Sequence, residues 1–437
     1  MPTSRPHDLT TSRSHVAILA GGGDLPLQIA ASITARGGQV HIVAIRGEAD
    51  ARVEAYPHTW TNMAQASRIF AALKPPKDWD GPSVMVIAGA VTRPDLAQLR
   101  PDFGFVRVLV QVLGLITAGG DDALLTRAIR IFEREGLTVV GIQDVAPELL
   151  IGAGTLGHVS PDDAALADIA TGRAVLATLG GLDVGQAIVV EAGRVLAIEG
   201  VEGTDRMLTR LASLGAASGK AVLLKAPKPR QERRVDLPTI GVRTVEHAHA
   251  AGIRGIAVVA GDAIGLQRDA MITAADAHGL FVVGVAAGRA SEAPATPVDA
   301  IVAVCGRLRP SKGDLADAQR GADAVLRLTA FDTGSAAAVV RGHVLGIAAA
   351  EGPAGLAQRI GGLSQWGLRR LRRKRGALVV RCDQRPAPAD LAAWIDRAAD
   401  AGLAGIGLLL PEPANIPTDV VAHADQRAVV LASIHRR

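Results

Sequence analysis

A loop rich in basic residues carries the strongest chemical signal in this chain. The loop spans residues 225–241 and follows an apolar run at 221–224. Asp236 lies between two apolar residues just before Pro238, so we expect an extended backbone and a partly shielded carboxylate. Positive charges around one shielded carboxylate fit a phosphate site whose carboxylate binds a metal ion or orients a water. A solvated surface loop with a chance charge cluster is the alternative. The basic residues are Lys225, Lys228, Arg230, Arg233 and Arg234.

A glycine-rich turn is the second candidate phosphate site. Gly21, Gly22 and Gly23 are followed by Asp24, between an apolar run and a helix-like stretch. Backbone N–H groups and the helix dipole bind phosphate at such a strand-to-helix turn. Pro26 replaces the third glycine of the dinucleotide fingerprint, so that motif is absent. Either substrate contact or a tight turn requires glycine here.

One acidic pair and the histidines are candidate metal ligands. Asp121 and Asp122 follow Gly119 and Gly120, where an N-cap and a first-turn carboxylate are expected on structural grounds. Binding of a cation by the two carboxylates is the alternative. The eleven histidines show no ligand spacing, so we expect no zinc site.

Short apolar runs alternate with amphipathic stretches through the first third of the chain, for example at 15–20, 25–36 and 40–45. This alternation predicts an α/β fold with a parallel, three-layer sheet. A segment of small residues and prolines at 286–297 reads as a linker. The predicted domains are 15–153 with the parallel α/β sheet, 154–285 carrying the chemistry, and 298–437.

The segment after the linker is a degraded copy of the domain before it. Residues 161–214 align without a gap to 310–363 at a constant offset of 149 (310 − 161), with about a third of positions identical. Chance similarity of Ala- and Gly-rich sequence does not hold register over such a length. We therefore expect an N-terminal α/β domain with a parallel sheet, a C-terminal α/β domain and a degenerate second copy of the latter.

The second copy keeps the scaffold positions and loses charged ones. Thr204 and Asp205 become Pro353 and Ala354, and the basic loop shrinks to residues 381–390. The lost residues are therefore the better candidates for chemistry. Thr204 has a structural alternative as the N-cap of the helix that begins there.

Two acidic residues of the candidate motifs are present in both copies. Glu202 recurs as Glu351 and Asp183 recurs as Asp332. Since the second copy lacks the polar loop, we expect Asp183 to be structural and Glu202 to hold a turn.

Composition limits the class of protein. The 437 residues suggest roughly two to four domains. Aromatic residues make up only 3%, which leaves few stacking surfaces for single-stranded nucleic acid. The net charge of +4 is compatible with an anionic small molecule or a membrane surface. Cys305 and Cys382 fit a reducing cytosol. We expect neither an export signal nor a membrane span.

Several motifs in the same order resemble the UDP-2,3-diacylglucosamine pyrophosphatase family of lipid A biosynthesis, LpxI type. The resemblance covers roughly residues 16–285, and the segment after 297 departs from the usual two-domain length. Besides the basic loop, the motifs are Leu19–Pro26, Thr92–Asp95, Gly120–Leu125, Leu182–Gln186 and Glu202–Asp205.

The resemblance implies a Mg²⁺-dependent hydrolase that splits the pyrophosphate of UDP-2,3-diacylglucosamine by water attack at the α-phosphorus, giving UMP and lipid X. It implies substrate binding between an N-terminal Rossmann-like domain and the C-terminal domain. Asp236 resembles the family's essential acidic residue. We expect catalysis by Asp236, Lys225 and Arg233, and metal binding by Asp236, Asp205 and Asp122. The expected substrate-binding residues are Gly21, Gly22, Gly23, Asp24, Gln186, Thr204, Lys228, Gln231 and Thr239.

The sequence leaves two alternative functions open and suggests several partners. A nucleotide-sugar transferase or dehydrogenase is the enzymatic alternative, and a lipid- or nucleotide-binding regulator is the non-catalytic one. The basic stretch at 367–375 would touch anionic lipid or form a solvated loop. We expect a cytosolic enzyme peripheral to the inner membrane, with no nucleic-acid partner. The second copy is expected to pack on the first as a pseudo-partner, in a monomer or a homodimer.

Overall fold

The computed structural model describes residues 14–91, 121–228, 231–288, 300–363, 374–411 and 415–436. Three sequence features lie wholly or mostly outside these ranges: the motif at 92–95, the linker and the basic stretch at 367–375.

The contacts divide the chain into two compact units. Unit 1 contains residues 1–152, 230–241 and 260–271, and unit 2 contains 153–229, 242–259 and 272–437. This division differs from the predicted domain boundaries in two ways. Two loops of the middle third, 230–241 and 260–271, belong to unit 1. The two copies share unit 2.

The strands, in chain order, are β1 His15–Ala20, β2 Gln39–Ile45, β3 His58–Thr61, β4 Ser83–Ala88, β5 Gly154–Leu156, β6 Ala187–Glu191, β7 Arg194–Ile198, β8 Ala221–Lys225, β9 Thr239–Ile240, β10 Ile253–Val259, β11 Ile264–Gly265, β12 Phe281–Val285, β13 Ala300–Cys305, β14 Ala336–Val340, β15 His343–Ile347, β16 Ala377–Arg381, β17 Gly405–Leu409 and β18 Val430–Arg436.

The described helices, numbered in the same way, are α1 Leu25–Ala35, α2 Ala66–Leu73, α3 Asp121–Arg134, α4 Ile142–Val145, α5 Asp163–Leu179, α6 Thr204–Leu214, α7 Val242–Ala250, α8 Arg268–Ala277, α9 Lys312–Arg327, α10 Gly352–Leu363, α11 Pro388–Asp400 and α12 Thr418–Gln426.

Unit 1 is a parallel sheet in the order β3-β2-β1-β4, with packed layers on both faces. Strand β1 is buried at every position, because its side chains alternate between the two layers. Val16 and Ile18 pack in a core with Ile29 of α1. Leu19 packs in a second core with Phe70 of α2. The predicted three-layer α/β fold is confirmed.

The strand order of unit 1 creates a crevice beside β1. The chain runs from β1 to β2 on one side, and later returns to place β4 on the other side. Such a reversal separates the loops that leave the carboxyl ends of β1 and β4, and ligands bind in crevices of this kind.

Unit 2 contains two sheets with one topology. The first has the order β5-β12-β10-β8-β6-β7, and the second has the order β13-β18-β17-β16-β14-β15. In each sheet three central strands are parallel, an antiparallel strand covers one edge, and an antiparallel hairpin extends the other. The loop after β8 is long, whereas Pro388 begins α11 soon after β16.

The two copies share one hydrophobic core. Ile188, Val190 and Leu224 of the first copy belong to the same buried cluster as Val339 and Val379 of the second. The backbone N–H of Val201 donates to Leu345 O (3.1 Å), and that of Ala350 donates to Leu196 O (3.2 Å). These hydrogen bonds join matched positions of the two copies, so the copies are related by an approximate two-fold arrangement.

Four buried charges lie where the copies meet. Glu202 accepts from Arg210 (3.1 Å) and Arg359 (2.8 Å), and Glu351 accepts from the same two arginines (2.9 and 2.6 Å). The side chains of both glutamates are no more than 3% exposed. Glu202 therefore does more than hold a turn, because its partners come from both copies.

One described helical stretch, residues 163–182, is long and apolar enough to cross a membrane by length and composition. Half of its apolar window is buried inside the structure, and its residues Val175 and Leu179 belong to the core of unit 2. A buried core helix of a globular unit has the same properties.

Candidate functional site

A cavity of about 250 Å³ opens in the crevice of unit 1. Its walls come from the glycine-rich turn after β1, from Ala88–Ala90 at the end of β4, and from the 230–241 segment. The predicted site residues that line it are Gly22, Gly23, Asp24, Arg233, Asp236 and Thr239. Two candidate phosphate sites, far apart in the sequence, thus meet at the carboxyl end of one sheet.

The three glycines of the turn have different roles. A Cβ on Gly21 would overlap the carbonyl oxygen of Ala90, so Gly21 serves close backbone packing and does not line the cavity. Gly22 donates to Ala90 O (2.7 Å) and accepts from Ala90 N (2.9 Å), which ties the loops after β1 and β4 together. Gly23 has φ +90°, a conformation that favours glycine. The expectation of substrate contact therefore suits Gly23 and Gly22 better than Gly21.

Asp24 is the N-cap of α1, but its side chain makes no capping hydrogen bond. Its carboxylate instead accepts from Arg52 Nη2 (2.6 Å) and from Gln267 Nε2 (2.8 Å). Asp24 therefore anchors the 260–271 segment beside the glycine-rich turn. This anchoring is a structural role for a residue that also lines the cavity.

The basic loop presents arginines held by carboxylates. Arg233 is about half exposed and pairs with Asp262 (2.8 Å). Arg234 pairs with Glu232 (2.9 Å) and Glu133 (2.8 Å). Hydrogen bonds from Arg234 hold the pKa of Glu232 below its usual range. These pairs fix the direction of both guanidinium groups, and both arginines line the cavity.

Asp236 is half-buried in the cavity wall. Its backbone N–H closes a turn by donating to Glu232 O (3.1 Å), and Leu237 and Pro238 after it are buried. Strand β9 then pairs with β11, which fixes the far end of the segment. A carboxylate is thus held beside two guanidinium groups and a helix N-terminus. This arrangement can bind a phosphate chain and orient a water toward it.

Metal binding by a preformed carboxylate cluster finds no support in the described residues. Among them, no group of three or more His, Cys, Asp or Glu side chains could hold an ion. Asp205 of unit 2 pairs with Arg243 (2.7 Å) and His247 (3.4 Å), which would compete with a metal ion. Asp122 lies in the first turn of α3, and its side chain is outside the description.

The remaining predicted residues lie mostly in unit 2. Lys225 ends β8 and is only 5% exposed. Lys228 pairs with Asp183 (2.6 Å), a left-handed residue at φ 56°. Asp332, its counterpart in the second copy, is also left-handed at φ 48°, as a structural role for the turn requires. Gln231 is buried in the segment that belongs to unit 1.

Thr204 is not the N-cap of its helix. Gly203 occupies that position, and Thr204 is the first helical residue. Its hydroxyl donates to Glu199 Oε1 (2.8 Å), and the backbone N–H of Gln186 donates to Glu199 Oε2 (2.6 Å). Glu199 thereby links two predicted substrate-binding residues.

Glu199 was missed by the sequence analysis. It is 5% exposed and follows directly after β7. A signal was present in the alignment of the copies, because Ala348 occupies the matching position.

Comparisons with known proteins agree with this architecture. Residues 15–149 match the family model of the LpxI N-terminal domain, and residues 152–283 match that of the LpxI C-terminal domain. The UDP-2,3-diacylglucosamine pyrophosphatase LpxI of Caulobacter vibrioides is 42% identical over 276 residues, which are 62% of this chain and 97% of that protein. The second copy, from β13 onward, lies beyond both matched ranges.

Proposed function

The chain belongs to the LpxI family, and from this premise we propose that it hydrolyses the pyrophosphate of UDP-2,3-diacylglucosamine to UMP and the monophosphorylated acylated sugar, lipid X. One observation carries the proposal: Asp236, Arg233 and the glycine-rich turn line one cavity in the crevice beside β1, where the strand order of unit 1 reverses. The relative of this chain from Caulobacter vibrioides bears the name of that activity.

Two guanidinium groups in the cavity wall suit an anionic substrate. Arg233 and Arg234 would offset the negative charge that otherwise repels a nucleophile from a pyrophosphate. Gly23 and the N-terminus of α1 would bind phosphate oxygens through backbone N–H groups. Asp236 would orient a water toward the α-phosphorus. The oxygen of that water bonds to phosphorus while one of its protons passes to the Asp236 carboxylate, the bridging P–O bond breaks, and the bridging oxygen leaves with the sugar phosphate.

Magnesium dependence is part of the proposal. Mg²⁺ is usually held by one or two carboxylates together with substrate phosphates and waters, and it does not need an all-protein cage. Asp236 in a phosphate-sized cavity fits that pattern, whereas Asp205 with its two cationic partners does not. When bound there, the ion would offset phosphate charge and lower the pKa of a bound water.

Release of UMP tests the reaction and its metal together. We expect the purified enzyme to release UMP from UDP-2,3-diacylglucosamine with Mg²⁺, to lose at least 100-fold in rate with excess EDTA, and to recover when Mg²⁺ is restored. A Ca²⁺ restoration is the matched control, since Ca²⁺ is larger and prefers more ligands. Full activity in EDTA would contradict the metal requirement, and no UMP release under any condition would contradict the function.

We also propose that the internal pairing of the two copies makes the chain a monomer in solution. The shared core and the four buried charges cover a face of the first copy that would otherwise be exposed to a second chain. Because the proposed substrate carries acyl chains, we further propose that the enzyme acts at the cytosolic surface of the inner membrane.

Deletion of residues 298–437 tests this pairing by light scattering. The full chain is expected to scatter as a monomer. The truncated chain is expected to form dimers or aggregates, because it exposes the apolar face that the second copy covers. A dimeric full chain, together with an active and equally stable monomeric truncation, would show that the second copy is not a pseudo-partner.

A further inference from the structure

The matched strand ladders of unit 2 allow a direct comparison of the two copies, position by position. In the first copy, Ala187 of β6 lies opposite Lys225 of β8. In the second copy, Ala336 of β14 lies opposite Val380 of β16. Val380, and not Arg381, is therefore the structural counterpart of Lys225.

Glu199 lies opposite the same alanine, Ala187, on the other side of β6, so that Lys225, Ala187 and Glu199 form one row across the sheet. Its backbone N–H donates to Ala187 O (2.9 Å), and the corresponding bond in the second copy runs from Ala348 N to Ala336 O (2.8 Å). Directly opposed residues of neighbouring strands point to the same face of a sheet. Glu199 and Lys225 therefore flank a small alanine on one face, about 10 Å apart between their backbones.

Both of these charged residues are only 5% exposed, and their counterparts Ala348 and Val380 are fully buried. Burying a carboxylate and an ammonium group is costly, and apolar residues of suitable size often give equal or greater stability. The second copy folds with the same strand order, and the matching residues Ala348, Ala336 and Val380 are all apolar. The charges of the first copy are therefore not a requirement of the fold.

The carboxylate of Glu199 also fixes the end of β8 indirectly. It accepts from Gln186 N (2.6 Å), and the carbonyl of Gln186 accepts from Ala226 N (2.9 Å), the residue after Lys225. It accepts from the Thr204 hydroxyl as well. In the second copy Ser335 replaces Gln186 and Pro353, which has no hydroxyl, replaces Thr204. The residues around Glu199 thus change together with it.

We infer that Glu199 is a positioning residue of the enzyme, which holds Gln186, Thr204 and the end of β8, where Lys225 lies, in the arrangement that binds the substrate. The inference rests on the proposed function, because it takes Gln186, Thr204 and Lys225 to bind the substrate named there. Glu199 acts through these neighbours and exchanges no proton with the substrate.

The test compares Glu199→Ala, Glu199→Gln and the double variant Glu199→Ala/Lys225→Val, which installs the row of the second copy. We expect Glu199→Ala to lower kcat/KM for UMP release at least 100-fold, mainly by raising KM. Glu199→Gln should recover at least tenfold, because its amide oxygen accepts from Gln186 N and its NH₂ donates to the Thr204 hydroxyl. The double variant should melt at or above the temperature of Glu199→Ala and stay inactive.

Glu191→Val is the matched control. Glu191 lies at the other end of β6, and the matching position of the second copy holds an apolar residue, Val340. It should keep wild-type kcat/KM. A folded double variant within threefold of wild-type kcat/KM, or a Glu199→Ala variant changed only in melting temperature, overturns the inference. Wild-type enzyme that releases no UMP overturns the proposed function and the inference with it.

Discussion

Replacing Asp236 with alanine is expected to lower kcat for UMP release by about 10²–10⁴-fold, the usual contribution of a positioned acid or base group. The cavity wall keeps Arg233, Arg234 and the glycine-rich turn in this variant, so substrate affinity should change little. The loss should therefore fall on kcat, with KM within a few-fold of wild type. Steady-state kinetics with saturating Mg²⁺ measure both quantities.

Asp78→Ala is the control for this substitution, because Asp78 is an exposed aspartate of unit 1 that does not line the cavity. It should leave kcat and KM unchanged. Turnover of Asp236→Ala within tenfold of wild type would remove Asp236 from the mechanism. If KM instead rises by about 10²–10⁴-fold and kcat is unchanged, Asp236 contributes to substrate binding and not to the chemical step.

The sequence predicted the parts of the fold that depend on local pattern. Alternating apolar runs and helical stretches are sufficient to indicate a parallel three-layer sheet, because strands buried on both faces must be apolar throughout. The glycine-rich turn and the basic loop were also identifiable, since their residue types suit phosphate. The sequence alone did not show that residues 230–241 belong to unit 1, although the segments on both sides of them belong to unit 2.

The roles of single polar residues were harder to predict, because they depend on partners distant in the chain. Thr204 has the right residue type for an N-cap, yet Gly203 takes that position and Glu199 takes the hydroxyl. Asp205 suits a metal ion by charge, yet Arg243 and His247 approach it from another helix. Such pairings arise from packing, which no local pattern encodes.

The internal copy was the most useful guide within the sequence, but it needed the strand register. Aligning the basic loop by its charge suggests Arg381 as the match of the polar segment, whereas the ladder places Val380 opposite Ala336. Only this register shows that the second copy lacks the buried lysine. Sequence comparison found the repeat, and hydrogen bonding defined which positions correspond.

Replacing Glu351 with alanine is expected to destabilise unit 2 by about 3–5 kcal/mol. Arg210 and Arg359 each pair with both Glu202 and Glu351, and their side chains are 15% and 9% exposed. Without Glu351, two buried guanidinium groups share one carboxylate at the junction of the copies. Urea unfolding, followed by circular dichroism, measures the loss.

The double variant Glu351→Leu/Arg359→Leu separates buried charge from lost packing. It leaves Arg210 paired with Glu202, so one balanced pair remains, and it should recover most of the stability lost in Glu351→Ala. Asp400→Ala is the surface control, because Asp400 is 74% exposed in its pair with Arg427 and should cost less than about 1 kcal/mol. If Glu351→Ala costs no more than Asp400→Ala, the four charges do not hold the two copies together. The shared apolar core would then be the main source of their association.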